Sequence, residues 1–407
     1  MIVRGLFIAS GLFLILPAAW GAELKAVSPA GSVVVGPYTP GIVAGKFLYV
    51  SGQGAKDSKG EIPRTAAEQT RTCLNNVRQI VEAAGLTMEH VVYSHLYVAD
   101  ASAYGEVLGA WDEFFKGGGP ARAVVGVAKM PVDTPVEINA VAVMDLSMKR
   151  VIRLPGRRPA GTPPDAVVAG DKLYFSSCPG LNAEGKAPSD PAAQTQLALD
   201  RMGVVLKAAG IGFDHVVFVN PYLADAVPME PMNRVYARHF KFGDTPARAT
   251  IGVSHLPDGA GVALTGVAAM DLASRRSVRP KNMPPSPTAS PCVFAGDTLY
   301  CSAKSAFIPG PNQGIYASTV ENQVRQTMRN LLDGLEEAGM DFSHVVATNV
   351  YLDDIRDFAA MNRIYAMFMK TPFPTRTTVQ QRPSAERKQN DREHWPTLEQ
   401  ISLIAVK

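Results

Sequence analysis

Charge is scarce in this chain. Asp, Glu, Lys and Arg make up 19% of its 407 residues, and the net charge is only +3. A balance so near neutral leaves no electrostatic footprint for a nucleic acid, and no basic stretch is interleaved with aromatics. Cysteine is rarer still: Cys73, Cys178, Cys292 and Cys301 are the four, with no CxxC pair and no Cys/His ligand spacing, which argues against a structural zinc. After the first residues, no apolar run reaches the ~20 residues needed to cross a bilayer. What remains is an ordinary globular composition, 46% hydrophobic, long enough for two or three domains.

Residues 1–22 read as a signal peptide. Arg4 supplies a positive start, Gly5 to Leu16 an apolar stretch, and Pro17 with Ala18, Ala19, Gly21 and Ala22 a cleavage region. The expected mature protein begins near Ala22 and works in the periplasm or as a secreted protein. An uncleaved N-terminal anchor is the other reading of the same residues.

The rest of the chain repeats itself three times. "AGKFLYVSG" from Ala44 returns as "AGDKLYFSS" from Ala169 and "AGDTLYCSA" from Ala295. "PARAVVGV" returns as "PARATIGV" and "PTRTTVQQ". Their arginines, Arg122, Arg248 and Arg376, lie 126 and 128 residues apart. Each unit reads as two hairpin strands, a helix, a strand, a second helix and two closing strands. In the first unit the helix spans Ala66 to Ala84, with Leu74, Val77, Val81 and Ala84 on its apolar face and Gly85 after it. This mixture predicts α+β, with helices covering one face of each sheet. The units are expected at 26–146, 155–272 and 284–407. Basic, Pro-rich segments between them, "SMKRVIRLPGRRPAG" and "ASRRSVRPKNMPPSPTASP", read as exposed connectors. The third unit carries an extra polar stretch, "PSAERKQNDREHWPT", before its last strand.

These motifs resemble the RidA (YjgF) family. The marks are "GPY" with Tyr38, "SGQ" at Ser51 to Gln53, "PAR" with Arg122, and Glu137 fifteen positions after that arginine. The resemblance covers nearly all of the chain after residue 22 as three copies. It implies a chorismate-mutase-like fold, and a trimer with pockets between neighbours, here written into one chain as a pseudo-trimer that is itself a monomer. It also implies hydrolysis of reactive 2-enamino and 2-imino acids to 2-keto acids and ammonia, without metal or organic cofactor. The alternative is a non-catalytic module binding small carboxylates or a protein on the same scaffold.

Within that resemblance, Arg122 is expected to grip the substrate carboxylate with its planar fork, Glu137 to orient or deprotonate water, and Tyr38 and Ser51 to donate hydrogen bonds or relay a proton. Gly52, Arg248 and Arg376 are the further substrate-binding candidates. A salt bridge ordering the strand start is the structural alternative for the arginines. The copies differ: Pro163 and Ala289 stand where Tyr38 does, Ala263 where Glu137 does, and Glu399 or Gln400 is the third counterpart. Only the first unit holds the complete set, and each pocket is expected to draw on two units.

Two patterns carry less. In "CVFAGDTLYC" a turn at Gly296-Asp297 pairs Cys292 with Cys301, as a disulfide or as two small buried residues. His90, His215 and His344 recur at one position before a strand, and a turn role is expected rather than a metal site. Trp111, Tyr236 and Tyr365 recur at core-like spacing in the second helix.

Overall fold

The structure is a computed structural model. It describes residues 23–407 apart from 33, 117–118, 157–161, 225–226, 282, 310–315, 383–385 and 392. The segment read as a signal peptide, 1–22, lies outside the described residues.

The first unit comprises β1 (Lys25–Val27), β2 (Gly41–Ala44), β3 (Phe47–Gly54), α1 (Ala66–Ala83), β4 (Val91–Val98), α2 (Tyr104–Phe114), β5 (Ala121–Gly126) and β6 (Val136–Val143). Its sheet runs β1-β2-β3-β6-β4-β5. All neighbours are antiparallel except β4 and β5, which are parallel because α2 crosses between them. Helix α1 starts where Thr65 and Glu68 form a capping box, and Gly85 follows it at φ +79°, a conformation costly for any side chain. Its Leu74, Val77 and Val81 are buried, so truncating one of them to alanine costs about 2–5 kcal/mol.

The second unit repeats this with β7 (Lys149–Ile152), β8 (Ala166–Ala169), β9 (Lys172–Pro179), α3 (Pro191–Ala208), β10 (Val216–Leu223), α4 (Met229–Tyr236), β11 (Ala247–Arg248), β12 (Ile251–Gly252) and β13 (Val262–Ala269). The third has β14 (Arg275–Val278), β15 (Cys292–Ala295), β16 (Thr298–Lys304), α5 (Val320–Glu337), β17 (Val345–Leu352), α6 (Phe358–Tyr365), β18 (Thr375–Gln380) and β19 (Glu399–Val406). The fold is α+β in three tandem copies.

The connectors are not purely connectors. β7 and β14 lie inside them, pair antiparallel with β8 and β15, and start the second and third sheets ahead of residues 155 and 284. In β7, Ile152 is buried while Arg150 and Val151 face solvent. Such a short, charged strand closes a sheet without offering an edge to another chain.

One face of each sheet packs on its own two helices, giving three separate apolar clusters. The opposite faces share one further cluster to which all three units contribute, including Tyr49, Tyr174 and Tyr300. With both faces covered, β4 and β10 are buried along their whole length, which is why neither alternates apolar with polar.

In the third hairpin, Cys292 pairs with Cys301, Val293 with Tyr300, Phe294 with Leu299 and Ala295 with Thr298. The two cysteines are joined by a disulfide with Cα atoms 4.0 Å apart. Cys73 and Cys178 are free and buried.

Candidate functional site

The three arginines occupy one position of the fold. Arg122, Arg248 and Arg376 sit on edge strands opposite Ser94, Val219 and Thr348 of the parallel neighbour. Each guanidinium lies over an aromatic ring of its own unit's second helix: Arg122 over Trp111 at 5.4 Å, Arg248 over Tyr236 at 5.2 Å, Arg376 over Tyr365 at 5.3 Å. These rings are fully buried and serve as platforms that fix the planar fork. Each arginine also reaches a neighbouring unit through its backbone. The N–H of Arg122 donates to the Ser176 hydroxyl at 2.9 Å, that of Arg248 to Ser302 at 2.8 Å, and that of Arg376 to Ser51 at 2.9 Å. Each serine passes its own proton to a carbonyl 2.6 Å away, on Thr39, Pro164 or Ser290. Ser51 thus has its proton committed to the backbone and acts here as a joint between units.

This geometry regroups the expected set. Tyr38, Gly52 and Glu137 of the first unit meet Arg376 of the third, not Arg122. The sheet order is the reason: β5, which carries Arg122, is the outer edge strand, separated from Glu137 on β6 by β4 and further still from Gly52 on β3. Arg122 faces the second unit instead, and an ion pair at 3.4 Å ties its Nη1 to Asp112. Arg376 lies over the Tyr38 ring at 5.2 Å and over Phe358 at 5.3 Å.

The residues around Arg376 enclose a cavity of about 70 Å³, lined by Tyr38, Gly52, Thr134, Glu137, Phe358 and Arg376 among others. Burial pushes the Glu137 carboxyl up to about 8, with the Arg376 charge opposing the shift. Burial also lowers the Arg376 guanidinium, which Tyr365, Tyr38 and Glu137 counter. The Tyr38 phenol is raised by burial, against a hydrogen bond with Val35 and the Arg376 charge. Arg376 Nη1 and the Thr378 hydroxyl are buried without a hydrogen-bond partner. Both residues line the cavity. Buried polar groups normally find partners, so the cavity holds unspent donors opposite an acid. Gly52 makes room for that acid: a Cβ there would stand 1.9 Å from Glu137 Oε1. At the cavity wall, Val132 adopts φ +53°, a left-handed conformation that costs a β-branched residue about 1–3 kcal/mol. Sequence reading offered no signal for this strained residue.

The other two inter-unit positions differ. Glu137 pairs with Tyr97 across β4 and β6; the same register position holds Ala263, opposite Tyr222, and Gln400, opposite Tyr351. Gln400 is therefore the counterpart in the third unit. Glu399 points the other way, under α5, where Thr327 donates to it. Burial raises its carboxyl to about 8. Arg248 borders a much larger cavity, about 600 Å³, between the second and third units.

The recurrent histidines sit in turns. His90 Nδ1 accepts from the Thr87 N–H and His344 Nδ1 from the Asp341 N–H, while His215 Nδ1 bonds the Ala269 carbonyl. Among the described residues, no group of three or more His, Cys, Asp or Glu is placed to hold a metal.

The fold and site define a protein of three tandem α+β domains, with a buried acid of one domain facing an arginine of another. The family described as Endoribonuclease L-PSP matches residues 30–144, 158–270 and 282–385, and the chain belongs to that family, three times over. Among curated relatives, the 2-iminobutanoate/2-iminopropanoate deaminase of Escherichia coli (strain K12) is 39% identical over 113 residues, 27% of this chain and 88% of that one. A RutC family protein of Aquifex aeolicus (strain VF5) is 36% identical over 124 residues, covering 30% and 98%. Among solved structures, the YjgF gene product of E. coli is 36% identical, covers 30% of this chain and 99% of that one, and has a TM-score of 0.29.

Proposed function

We propose that the chain is an imine deaminase whose competent pocket lies between the first and third units, with Arg376 as the carboxylate clamp and Glu137 as acid and base. The observation that carries this is the unpartnered Arg376 Nη1 sharing a small cavity with a carboxyl that ionises near 8. A carboxyl of that kind is mostly protonated at neutral pH yet gives up its proton readily, as acid-base catalysis requires.

The substrate carboxylate lies against the Arg376 fork, which fixes the C=N or C=C carbon near Glu137. An enamine takes the Glu137 proton at its β-carbon: the C=C pair becomes the new C–H bond and the nitrogen lone pair closes a C=N bond. The Glu137 carboxylate then takes a proton from water as the water oxygen bonds to the imine carbon, returning the π pair to nitrogen. Glu137 protonates the nitrogen of the resulting carbinolamine. Loss of the hydroxyl proton to the glutamate expels ammonia and leaves the 2-keto acid, with Glu137 protonated as at the start. Tyr38 closes one side of the cavity and Ser51 holds the strand that bears Arg376. The size of the cavity suits a short imino acid and not a nucleotide, which favours deamination over RNA cleavage. The similarity to the E. coli deaminase supports the same substrate class.

We further infer that the three units form an intrachain pseudo-trimer and that residues 1–22 direct export. Light scattering at the mass of one chain supports the first inference, and recovery of a mature protein beginning near Ala22 from outside the cytoplasm supports the second. The function itself is tested by generating short 2-imino acids with an amino-acid oxidase and following their decay with the purified chain. Acceleration lost in Arg376→Ala supports the assignment; no acceleration across several side chains overturns it.

A further inference from the structure

We propose that the mouth of the Arg376–Glu137 cavity takes the side chain of a straight-chain aliphatic 2-imino acid, and that Val132 is the residue that selects it; the inference rests on the deaminase reading and extends it from the reacting end of the substrate to its tail. The cavity has a buried end and an open end. Arg376 and Glu137 are 4% and 6% exposed, whereas Val35 and Val132, which line the same space, are 48% and 46% exposed. A substrate with its carboxylate on Arg376 and its imine carbon near Glu137 therefore sends its side chain outward between the two valines.

Val132 is an unfavourable choice for the backbone it occupies. Val132 and Asp133 adopt φ +53° and +54°. The second unit fills the same two positions, after Pro257, with Asp258 and Gly259, at φ +58° and +70°. Aspartate tolerates this left-handed backbone better than a β-branched residue does, and glycine takes it freely. The fold is thus satisfied without a valine. A valine left half exposed also gains little from burial. Strain that the fold neither needs nor offsets belongs to the substrate contact. The two junctions agree with this: Val132 stands in the unit that carries Glu137, and Asp258 in the unit where Ala263 holds that place.

Pro131 and Phe358 continue the apolar wall inward, and the Phe358 ring lies 5.3 Å from the Arg376 guanidinium carbon. Apart from Arg376 and Glu137, no charged residue among the described ones lines the space. A second carboxylate on the tail would lose water there with no partner to compensate. An aliphatic tail loses nothing and is shielded on the side of the valines. Burying a methylene fully raises affinity about fourfold, and shielding half of it about twofold, so three further methylenes give about tenfold.

Isothermal titration of the purified full chain with 2-oxo acids, which keep the carboxylate and the trigonal C2 but are not consumed, reads the tail without turnover. 2-Oxohexanoate is expected to bind about tenfold tighter than 2-oxopropanoate, and 2-oxopentanedioate no tighter than 2-oxopropanoate. Val132→Asp and Val132→Gly, which remove the apolar wall and ease the backbone, should each cut the hexanoate-to-propanoate ratio to about twofold with no fall in melting temperature. The matching 2-imino acids, generated by an amino-acid oxidase, should show the same ratios in kcat/KM. A parent ratio near one, 2-oxopentanedioate preferred over 2-oxohexanoate, or an unchanged ratio in both variants overturns the proposal, while hydrolysis of short imino acids by the same protein leaves the deaminase reading intact. Selection of 2-oxohexanoate through Val132 with no imine hydrolysed would overturn the deaminase reading and keep the tail site.

Discussion

The backbone N–H of Arg376 donates to the Ser51 hydroxyl at 2.9 Å across 325 residues of sequence. The same bond joins Arg122 to Ser176 and Arg248 to Ser302. Replacing any of these serines by alanine strands an N–H that is buried at Arg376 and part-buried at Arg122 and Arg248, and costs about 1–3 kcal/mol. Thermal unfolding of Ser51→Ala, Ser176→Ala and Ser302→Ala should therefore show similar losses. Imine hydrolysis should fall only in Ser51→Ala, the one serine that holds the Arg376 strand against the proposed pocket. Equal losses of activity in all three would remove Arg376 from its assigned place.

Arg376 and Arg122 give the sharpest contrast. Arg376→Lys keeps the charge but loses the planar fork and its stacking on Tyr38, Phe358 and Tyr365, so kcat/KM should drop about a hundredfold. Arg122→Ala, at the other junction, should stay within about threefold of the parent, as expected of a site removed from the chemistry. Steady-state kinetics on a short 2-imino acid decides between them.

The two halves of the chemistry should respond to pH in opposite senses. Enamine protonation needs neutral Glu137, so its rate should fall as pH rises through about 8. Water addition to a preformed imine needs the carboxylate, so its rate should rise through the same region and then level. Stopped-flow measurements on each substrate separate the two limbs. Glu137→Gln should flatten both.

Stability carries the same signature. The folded-state ionisation of Glu137 is raised above its ordinary value of 4.5. The native state therefore holds a proton that the unfolded chain has released, and stability declines between about pH 4.5 and about 8, by up to about 1.4 kcal/mol per pH unit. Glu137→Gln removes this slope, so its melting temperature relative to the parent should climb from pH 5 to pH 8. A difference that does not change with pH would mean that the carboxyl ionises normally.

Gly52 tests the fit of the acid. A Cβ there meets Glu137 Oε1 at 1.9 Å, so Gly52→Ala must push the carboxylate aside or shift the strand. Activity should fall about a hundredfold and stability by about 1–3 kcal/mol, the usual cost of overpacking. The copies agree with this reading: Ser177 and Ala303 stand at the Gly52 position only where Ala263 and Gln400 have replaced the glutamate.

Much of the fold was legible from repetition. The Ala-Gly hairpins, the α1 face and its glycine stop, and the Cys292–Cys301 register all follow from local pattern and turn chemistry. β7 and β14 were hidden because basic residues and prolines at a sheet edge look like linker. The pairing of Arg376 with Glu137 was hidden for a different reason. Spacing along the chain places Arg122 beside Glu137, whereas the sheet order puts β5 and β3 on different sides of β6. No local signal reports that order. The counterpart of Glu137 in the third unit needed the strand register itself, since Glu399 and Gln400 are adjacent and point to opposite faces.

The bond between Arg376 and Ser51 also sets a timetable for synthesis. A ribosome that has made the first unit has already released Tyr38, Gly52 and Glu137, yet the guanidinium they face is encoded 239 residues after Glu137. A nascent chain stopped after the second unit would carry an acid with no clamp. The proposed reaction can begin only once the third unit has been made, so products truncated before it would be catalytically silent, however well their finished domains had folded.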